Sequence, residues 1–187
     1  MPRQSKPVVI GIGNSYRSDD SAGLVAARLL RPQLPNCSVL EHDGEGTSLM
    51  ELWTGEDCVL VIDATRGAAA PGSITRFDVT LDGTSNLILD LTGIKVTRNI
   101  IRCALPAAMF HGSTHAFSLP EAIELSRTLS RLPHQLIIYG VEGQDFQPGT
   151  NLSPAVKVAV NSVVKEVIEE VSHDLAGLVG SPRVPSR

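Results

Sequence analysis

The chain has 187 residues, a formal net charge of −4 and 42% hydrophobic residues. This length favours one domain with a substantial core, predicted over residues 1–176, and the mild acidity argues against a nucleic-acid partner. No apolar run has the length of a membrane span or a signal-peptide core. The odd number of cysteines and the lack of a C-x-x-C pair predict a reduced, cytoplasmic setting; the cysteines are Cys37, Cys58 and Cys103.

Strands and helices are predicted to alternate along the chain. Consecutive apolar, β-branched residues predict buried strands at 7–12, 38–42, 58–62 and 135–141. Apolar residues at helical spacing, with proline at two of the starts, predict helices at 20–30, 48–53, 120–129 and from 153 onward. Residues 73–79 read as a hairpin-like edge strand, and residues 86–91 and 100–105 could each be a strand or a short helix. Residues 177–187 are rich in Pro, Gly, Ser and Arg and are predicted to be a disordered tail. The alternation predicts a three-layer α/β fold with a mostly parallel sheet.

Residues 8–23, VVIGIGNSYRSDDSAG, place two glycines after the first strand and two adjacent acids before the first helix. In the simplest interpretation Ser18 or Asp19 caps that helix and Asp20 lies in its first turn. A dinucleotide fingerprint would need a third glycine where Tyr16 stands, and two carboxylates would repel a phosphate at the helix start. The acid pair is better suited to a cation.

Further acids follow the next strands of the predicted sheet, since Asp43 and Glu45 follow the second and Asp63 follows the third. Carboxylates gathered at one sheet edge are costly unless a cation or a shared proton relieves their repulsion. Asp20 and Asp63 could therefore ligate a metal or act as a protease-like acid pair, and the residues leave both open.

His115, in a loop before a helix, is the candidate nitrogen ligand. His111 and His115 have the spacing of a zincin motif, but Gly112 stands where the glutamate is required, which excludes that site. The other histidines are expected to be ordinary polar residues: His42, His111, His134 and His173.

Four motifs in order resemble those of the hydrogenase maturation proteases, which trim the C-terminal extension of the large subunit of nickel-iron hydrogenases. They are G-x-G-N-x4-D-D-x2-G at 11–23, D-G-x-G-T at 43–47, V-I-D-A at 61–64 and S-x-H at 113–115. The resemblance runs over nearly the whole ordered chain. It implies a three-layer α/β/α fold with a twisted, mostly parallel sheet, of the phosphorylase/hydrolase-like kind.

The resemblance also implies a functional site. Asp20, Asp63 and His115 would be the catalytic residues and would bind the nickel carried by the precursor, with no permanently bound cofactor; other divalent cations could substitute in vitro. Nitrogen and oxygen donors are acceptable to nickel. Whether the metal or the carboxylates activate water stays open. The partner would be the large-subunit precursor, with neither a nucleic acid nor a membrane involved. Supporting residues around the cleft would be Gly11, Gly13, Asn14, Asp19 and Asp43.

Three departures from the family pattern accompany the match. Asp20 replaces a frequent glutamate, Glu45 is expected to add negative charge near the cleft, and residues 80–112 form a longer segment. That segment could be a lid, a partner contact or a tolerated surface insertion. Two other functions stay open from the sequence, a non-catalytic factor that binds nickel or the precursor, and a nucleotide-binding module.

Overall fold

The computed structural model describes residues 6–79, 85–90, 100–103 and 118–180. Its strands are β1 Val8–Ile12, β2 Ser38–His42, β3 Cys58–Thr65, β4 Ile74–Val79, β5 Ser85–Asp90, β6 Ile100–Cys103 and β7 Gln135–Glu142. Its helices are α1 Ala22–Leu30, α2 Gly46–Trp53, α3 Leu119–Thr128 and α4 Pro154–Gly180, with a short 3₁₀ helix at Ser18–Ser21. Within these ranges, no helix combines the length and the apolar character that crossing a bilayer requires.

One seven-stranded sheet joins the strands in the order β2-β1-β3-β7-β4-β5-β6. The first four strands are mutually parallel, whereas β4, β5 and β6 add to β7 in an antiparallel meander. The two segments that the sequence left open, 86–91 and 100–105, overlap β5 and β6, so both form strands. The prediction of an edge strand at 73–79 is wrong, because β4 is hydrogen-bonded on both sides, to β7 and to β5.

Helices cover both faces of the sheet, which confirms the predicted three-layer α/β/α arrangement. On one face, α1 and α4 pack on Val9, Leu60 and Ile62. On the other face, Trp53 of α2 and Ile123 of α3 belong to one apolar cluster with Ile10 and Val61 of the strands. Because both faces of the sheet are covered, β1, β3 and β7 are buried at nearly every position rather than at alternate ones, as the sequence predicted for β1 and β3.

The strand order places a crevice between β1 and β3. From β1 the chain runs through α1 to β2 on one side, and it then returns through α2 to β3 on the other side of β1. The two connecting helices lie on opposite faces of the sheet. A sheet whose connections diverge in this way leaves an open crevice at the carboxyl ends of the two strands, where α/β proteins bind their ligands.

Several element boundaries differ from the predicted ones. Strand β3 continues beyond Asp63 to Thr65, so Asp63 lies within the strand near its carboxyl end. Helix α4 continues to Gly180, so the predicted boundary after residue 176 falls inside a helix. Residues 181–187, the rest of the predicted tail, lie outside the described residues.

Candidate functional site

The glycines of the first loop hold the start of α1 directly against the strands. A Cβ on Gly23 would lie 2.2 Å from the carbonyl oxygen of Ile62 and 2.3 Å from that of Ile12. A Cβ on Gly11 would lie 2.1 Å from the Gly23 carbonyl oxygen, and one on Gly13 would lie 1.9 Å from that of Asp20. Only glycine permits these approaches, so the glycine positions bring residues 18–23 to the crevice between β1 and β3.

Asp20 occupies the 3₁₀ turn that this close approach creates. The residue is 5% exposed, and its Oδ2 lies 3.9 Å from Nη1 of Arg17. Burial raises the pKa of Asp20, and the positive charges of Arg17 and Arg66 oppose this shift only in part. The crevice therefore contains a carboxylate that is largely withdrawn from water and has two arginines in its surroundings.

Asp63 meets the same crevice from β3. Its Oδ1 accepts a hydrogen bond of 2.8 Å from the backbone N–H of Ala64. Burial raises the pKa of Asp63 to about 7, the negative charge of Asp20 contributes in the same direction, and the Ala64 N–H opposes both. The two carboxyl groups thus interact electrostatically, and the Asp63 carboxyl group exchanges its proton near neutral pH.

Asp19, next to Asp20, has a different role from the helix cap that the sequence predicted. Neither the 3₁₀ helix nor α1 has a side-chain cap. The Asp19 carboxylate instead accepts hydrogen bonds from the backbone N–H groups of Gln144, Asp145 and Ser153, at 2.9, 2.8 and 2.6 Å. Burial raises the pKa of Asp19, but these N–H groups outweigh it and leave the pKa below its ordinary value. The fully buried Asp19 therefore fixes the loop between β7 and α4 beside the crevice.

Asn14 and Asp43 belong to the loops that follow β1 and β2. Oδ1 of Asn14 accepts from the N–H of Tyr16 at 2.9 Å, and the Asn14 N–H donates to the Asp20 carbonyl oxygen at 3.2 Å. Asp43 is exposed, and its Oδ1 accepts from the N–H of Glu45 at 3.0 Å. Both side chains stabilise turns, and Asn14 does so next to Asp20.

Glu45 is the N-terminal cap of α2, which the sequence analysis missed. Its carboxylate accepts from the N–H groups of Ser48 and Thr47, at 2.8 and 3.0 Å. The Ser48 N–H, followed by that of Thr47, lowers the pKa of Glu45 to about 2. The acid that was expected to add charge near the cleft has a local structural role, and glutamate is not a residue type from which an N-terminal cap would be predicted.

Sequence reasoning also missed Glu142 and Arg66, which lie at the carboxyl ends of β7 and β3. Glu142 ends β7 and is 3% exposed; its carboxylate accepts from the Thr65 hydroxyl at 2.8 Å and from the Gly67 N–H at 2.5 Å. Arg66 lies between these two donors, and its guanidinium carbon stands 4.3 Å from the centre of the Phe146 ring. The sequence offered one signal for Arg66, since it is a basic residue only three positions after Asp63 and near the end of a predicted strand.

The described part of the site supplies two carboxylates. His115, the predicted nitrogen donor, lies outside the described residues. Among residues 6–79, 85–90, 100–103 and 118–180, no three His, Cys, Asp or Glu side chains are grouped closely enough to hold a metal ion. Asp20 and Asp63 together can provide two oxygen ligands to a divalent cation, or one proton donor and one acceptor to a water molecule.

Comparison with known proteins gives one family-level match. A family model described as a hydrogenase maturation protease matches residues 98–170. This span contains His115 and β7 but neither Asp20 nor Asp63. No curated protein matches the chain.

Solved structures match over most of the chain. A [NiFe] hydrogenase maturation protease HybD from Thermococcus kodakarensis is 22% identical, with 89% of this chain and 99% of that chain covered and a TM-score of 0.58. The hydrogenase maturating endopeptidase HybD from E. coli is 20% identical, with 90% of this chain and 93% of that chain covered and a TM-score of 0.60. A hydrogenase 2 maturation peptidase from Thaumarchaeota archaeon SCGC_AB-539-E09 is 20% identical, with 89% of this chain and 97% of that chain covered and a TM-score of 0.59.

The chain has the fold of the hydrogenase maturation proteases. The resemblance that the four sequence motifs indicated is confirmed at this level. Three of those motifs, at 11–23, 43–47 and 61–64, occupy the carboxyl ends of β1, β2 and β3 in this maturation-protease fold. The fourth, at 113–115, lies outside the described residues.

Proposed function

We propose that this chain is a hydrogenase maturation protease, an endopeptidase that removes the C-terminal extension of a nickel-iron hydrogenase large-subunit precursor after nickel insertion. Asp20, Asp63 and His115 contact the nickel carried by the precursor, and that nickel belongs to the substrate. Peptide hydrolysis then takes place beside the same carboxyl groups.

One observation carries the proposal most strongly, namely the pair of buried carboxyl groups at the crevice, Asp20 in the 3₁₀ turn that follows β1 and Asp63 near the end of β3. Burying two interacting acids is costly for folding, and structural roles such as that of Asp19 are recognisable by their full set of N–H donors. Asp63 has one such donor, and the described contacts of Asp20 are a distant arginine and the neighbouring charges. The pair therefore favours a group supplied from outside, either a cation or a water molecule to be activated.

The same charges disfavour a nucleotide-binding module. In such folds the phosphate groups occupy the helix start after the first strand, where backbone N–H groups attract them. Here Asp20 lies buried at that position, and the Asn14 N–H is already donated to the Asp20 carbonyl oxygen. A dinucleotide titration with no detectable binding would agree with this.

The decisive experiment compares nickel-loaded with nickel-free large-subunit precursor, and the loss of the C-terminal extension is followed by mass spectrometry. We expect cleavage of the loaded precursor only. Asp20→Asn, Asp63→Asn and His115→Ala should each lower the cleavage rate by at least about 100-fold, since each removes a donor to the metal or the reacting water.

Asp57→Asn provides the matched control. Asp57 lies exposed just before β3, at the opposite end of the strand from Asp63, and its variant should cleave at the wild-type rate. Cleavage of both precursor forms at equal rates would contradict nickel recognition. Binding of the loaded precursor without any cleavage would instead make the chain a non-catalytic maturation factor.

A further inference from the structure

Arg66 is an exposed residue with a rigidly fixed backbone. It directly follows β3, and the carboxylate of Glu142 accepts hydrogen bonds from the residue before it and from the residue after it, Thr65 and Gly67. The Thr65 carbonyl oxygen accepts a further hydrogen bond of 2.9 Å from the N–H of Gly143. Glu142 is a buried acid near an arginine, yet its described hydrogen bonds come from the Thr65 hydroxyl and the Gly67 N–H, on either side of Arg66, rather than from the guanidinium.

The guanidinium of Arg66 is fixed as well. It stacks on Phe146, with 4.3 Å between the guanidinium carbon and the ring centre, which is a cation–π geometry. Phe146 is 5% exposed and packs against Gly143, so the ring itself has little freedom to move. The side chain of Arg66 has therefore lost much of its rotational freedom on folding, before any ligand arrives.

The exposed guanidinium lies near the candidate site, three residues after Asp63 in the chain. Its positive charge acts on Asp20. Among the contacts of the described residues, Arg66 takes part in the stacking on Phe146 but in no ion pair with a carboxylate. A planar, pre-organised arginine that is exposed at the rim of a site is suited to two parallel hydrogen bonds with a carboxylate.

We propose that Arg66 is a specificity-determining residue that binds a carboxylate of the peptide substrate, an Asp or Glu side chain near the bond that is cleaved. This inference rests on the proposed endopeptidase function and adds a substrate preference to it. Arg66 contributes to binding because its position is set in the free protein, so that little rotational freedom remains to be lost when the substrate docks.

The test measures cleavage of the nickel-loaded precursor by the wild-type chain and by Arg66→Ala. We expect a KM about tenfold higher for Arg66→Ala, with kcat within about twofold of wild type, since a charge-assisted hydrogen bond is of this size. Arg66→Lys keeps the charge but loses the two parallel hydrogen bonds, so its KM should lie between the two. Phe146→Leu, which keeps an apolar side chain but removes the ring, should also raise KM.

The substrate side is tested with precursors in which each Asp or Glu around the cleavage site is changed in turn to Asn or Gln. One of these changes should raise KM for the wild-type chain about tenfold and leave KM of Arg66→Ala unaltered, because the same interaction is already missing. Arg131→Ala is the matched control. Arg131 is exposed just before β7, at the amino-terminal ends of the parallel strands and so at the opposite end from Arg66. Its loss should leave KM unchanged.

Three results would overturn the inference. These are a KM of Arg66→Ala within twofold of wild type, a loss confined to kcat, or precursor changes that affect both enzymes by equal factors. A loss in kcat alone would mean that Arg66 acts through the charge of Asp20. In each case the wild-type chain still cleaves the loaded precursor, whereas failure of the proposed function would abolish wild-type cleavage itself.

Discussion

Asp19 and Asp20 are adjacent and chemically identical, yet the fold gives them opposite electrostatic environments. Three backbone N–H groups stabilise the Asp19 carboxylate and lower its pKa despite burial. Asp20 has no comparable set of donors among its described contacts, and burial raises its pKa. The acid with the lowered pKa holds a loop in place, while the acid with the raised pKa is the one left to interact with Asp63. Such a difference between neighbouring groups is typical of functional sites.

Asp63→Asn should increase stability at neutral pH while it abolishes cleavage. The folded-state pKa of Asp63, about 7, lies above the unfolded value of 3.8. The folded state therefore binds the proton more tightly, and wild-type stability falls as pH rises from about 4 to 7. The variant does not titrate, so its free energy of unfolding at pH 8 should exceed that of wild type by up to about 4 kcal/mol, at 1.36 kcal/mol per pKa unit.

Urea denaturation between pH 4 and pH 8 would measure this difference. The advantage of Asp63→Asn should shrink to below about 1 kcal/mol at pH 4, where the wild-type carboxyl group is protonated in the folded state and about half protonated in the unfolded state. Glu51→Gln, at an exposed position of α2, should stay within about 0.5 kcal/mol of wild type throughout. A difference between Asp63→Asn and wild type that does not change with pH would refute the raised pKa.

At the scale of elements, the crossing of α1 over β1 and β3 decides whether Asp20 reaches the crevice. The contact is a backbone-to-backbone approach, with Gly11 on the strand and Gly23 on the helix. The sequence placed both glycines in the first motif, and the resemblance implied only a supporting role at the cleft for Gly11 and Gly13. Their second role, close packing of the helix, depends on which strand the helix covers.

Gly23→Ala should destabilise the fold by more than about 3 kcal/mol and lower cleavage, because its Cβ would overlap the carbonyl oxygens of Ile62 and Ile12. Gly55→Ala is the useful comparison. Gly55 has φ of +84°, and a Cβ added there would meet no other atom within 4 Å. The cost of Gly55→Ala is therefore that of the left-handed backbone alone, about 1–2 kcal/mol. Equal destabilisation by the two substitutions, measured by urea denaturation, would contradict the close crossing.

At the scale of the whole molecule, the parallel and antiparallel halves of the sheet share one continuous hydrogen-bonded ladder through β7. Apolar clusters cover both faces, and each extends from β1 across to β4. Trp53, the single tryptophan, is fully buried in one cluster and donates from Nε1 to the Ser126 hydroxyl at 3.0 Å. It therefore reports on the contact between α2 and α3.

Unfolding should be a single cooperative transition. Because the two clusters share the strands of one sheet, Trp53 fluorescence and far-ultraviolet circular dichroism should give the same urea midpoint. Trp53→Phe, followed by circular dichroism, should lower the free energy of unfolding by about 1–3 kcal/mol, since it leaves the Ser126 hydroxyl without this donor and opens space in the core. Two separated transitions in the wild-type chain would contradict a single domain.

The sequence by itself determined the layer architecture, the parallel strands and the acids that follow them, because buried strands and amphipathic helices have periodicities that can be read locally. It also placed Asp20 and Asp63 at the same sheet edge. Only the tertiary structure decided that Asp19 anchors the loop after β7, that Glu45 caps α2, and that β4 lies inside the sheet. It also revealed that Arg66 stacks on Phe146 and that Glu142 binds the residues on either side of Arg66. These features depend on contacts between residues far apart in the chain, or on competition among nearby donors, and such contacts leave no periodic signal in the sequence.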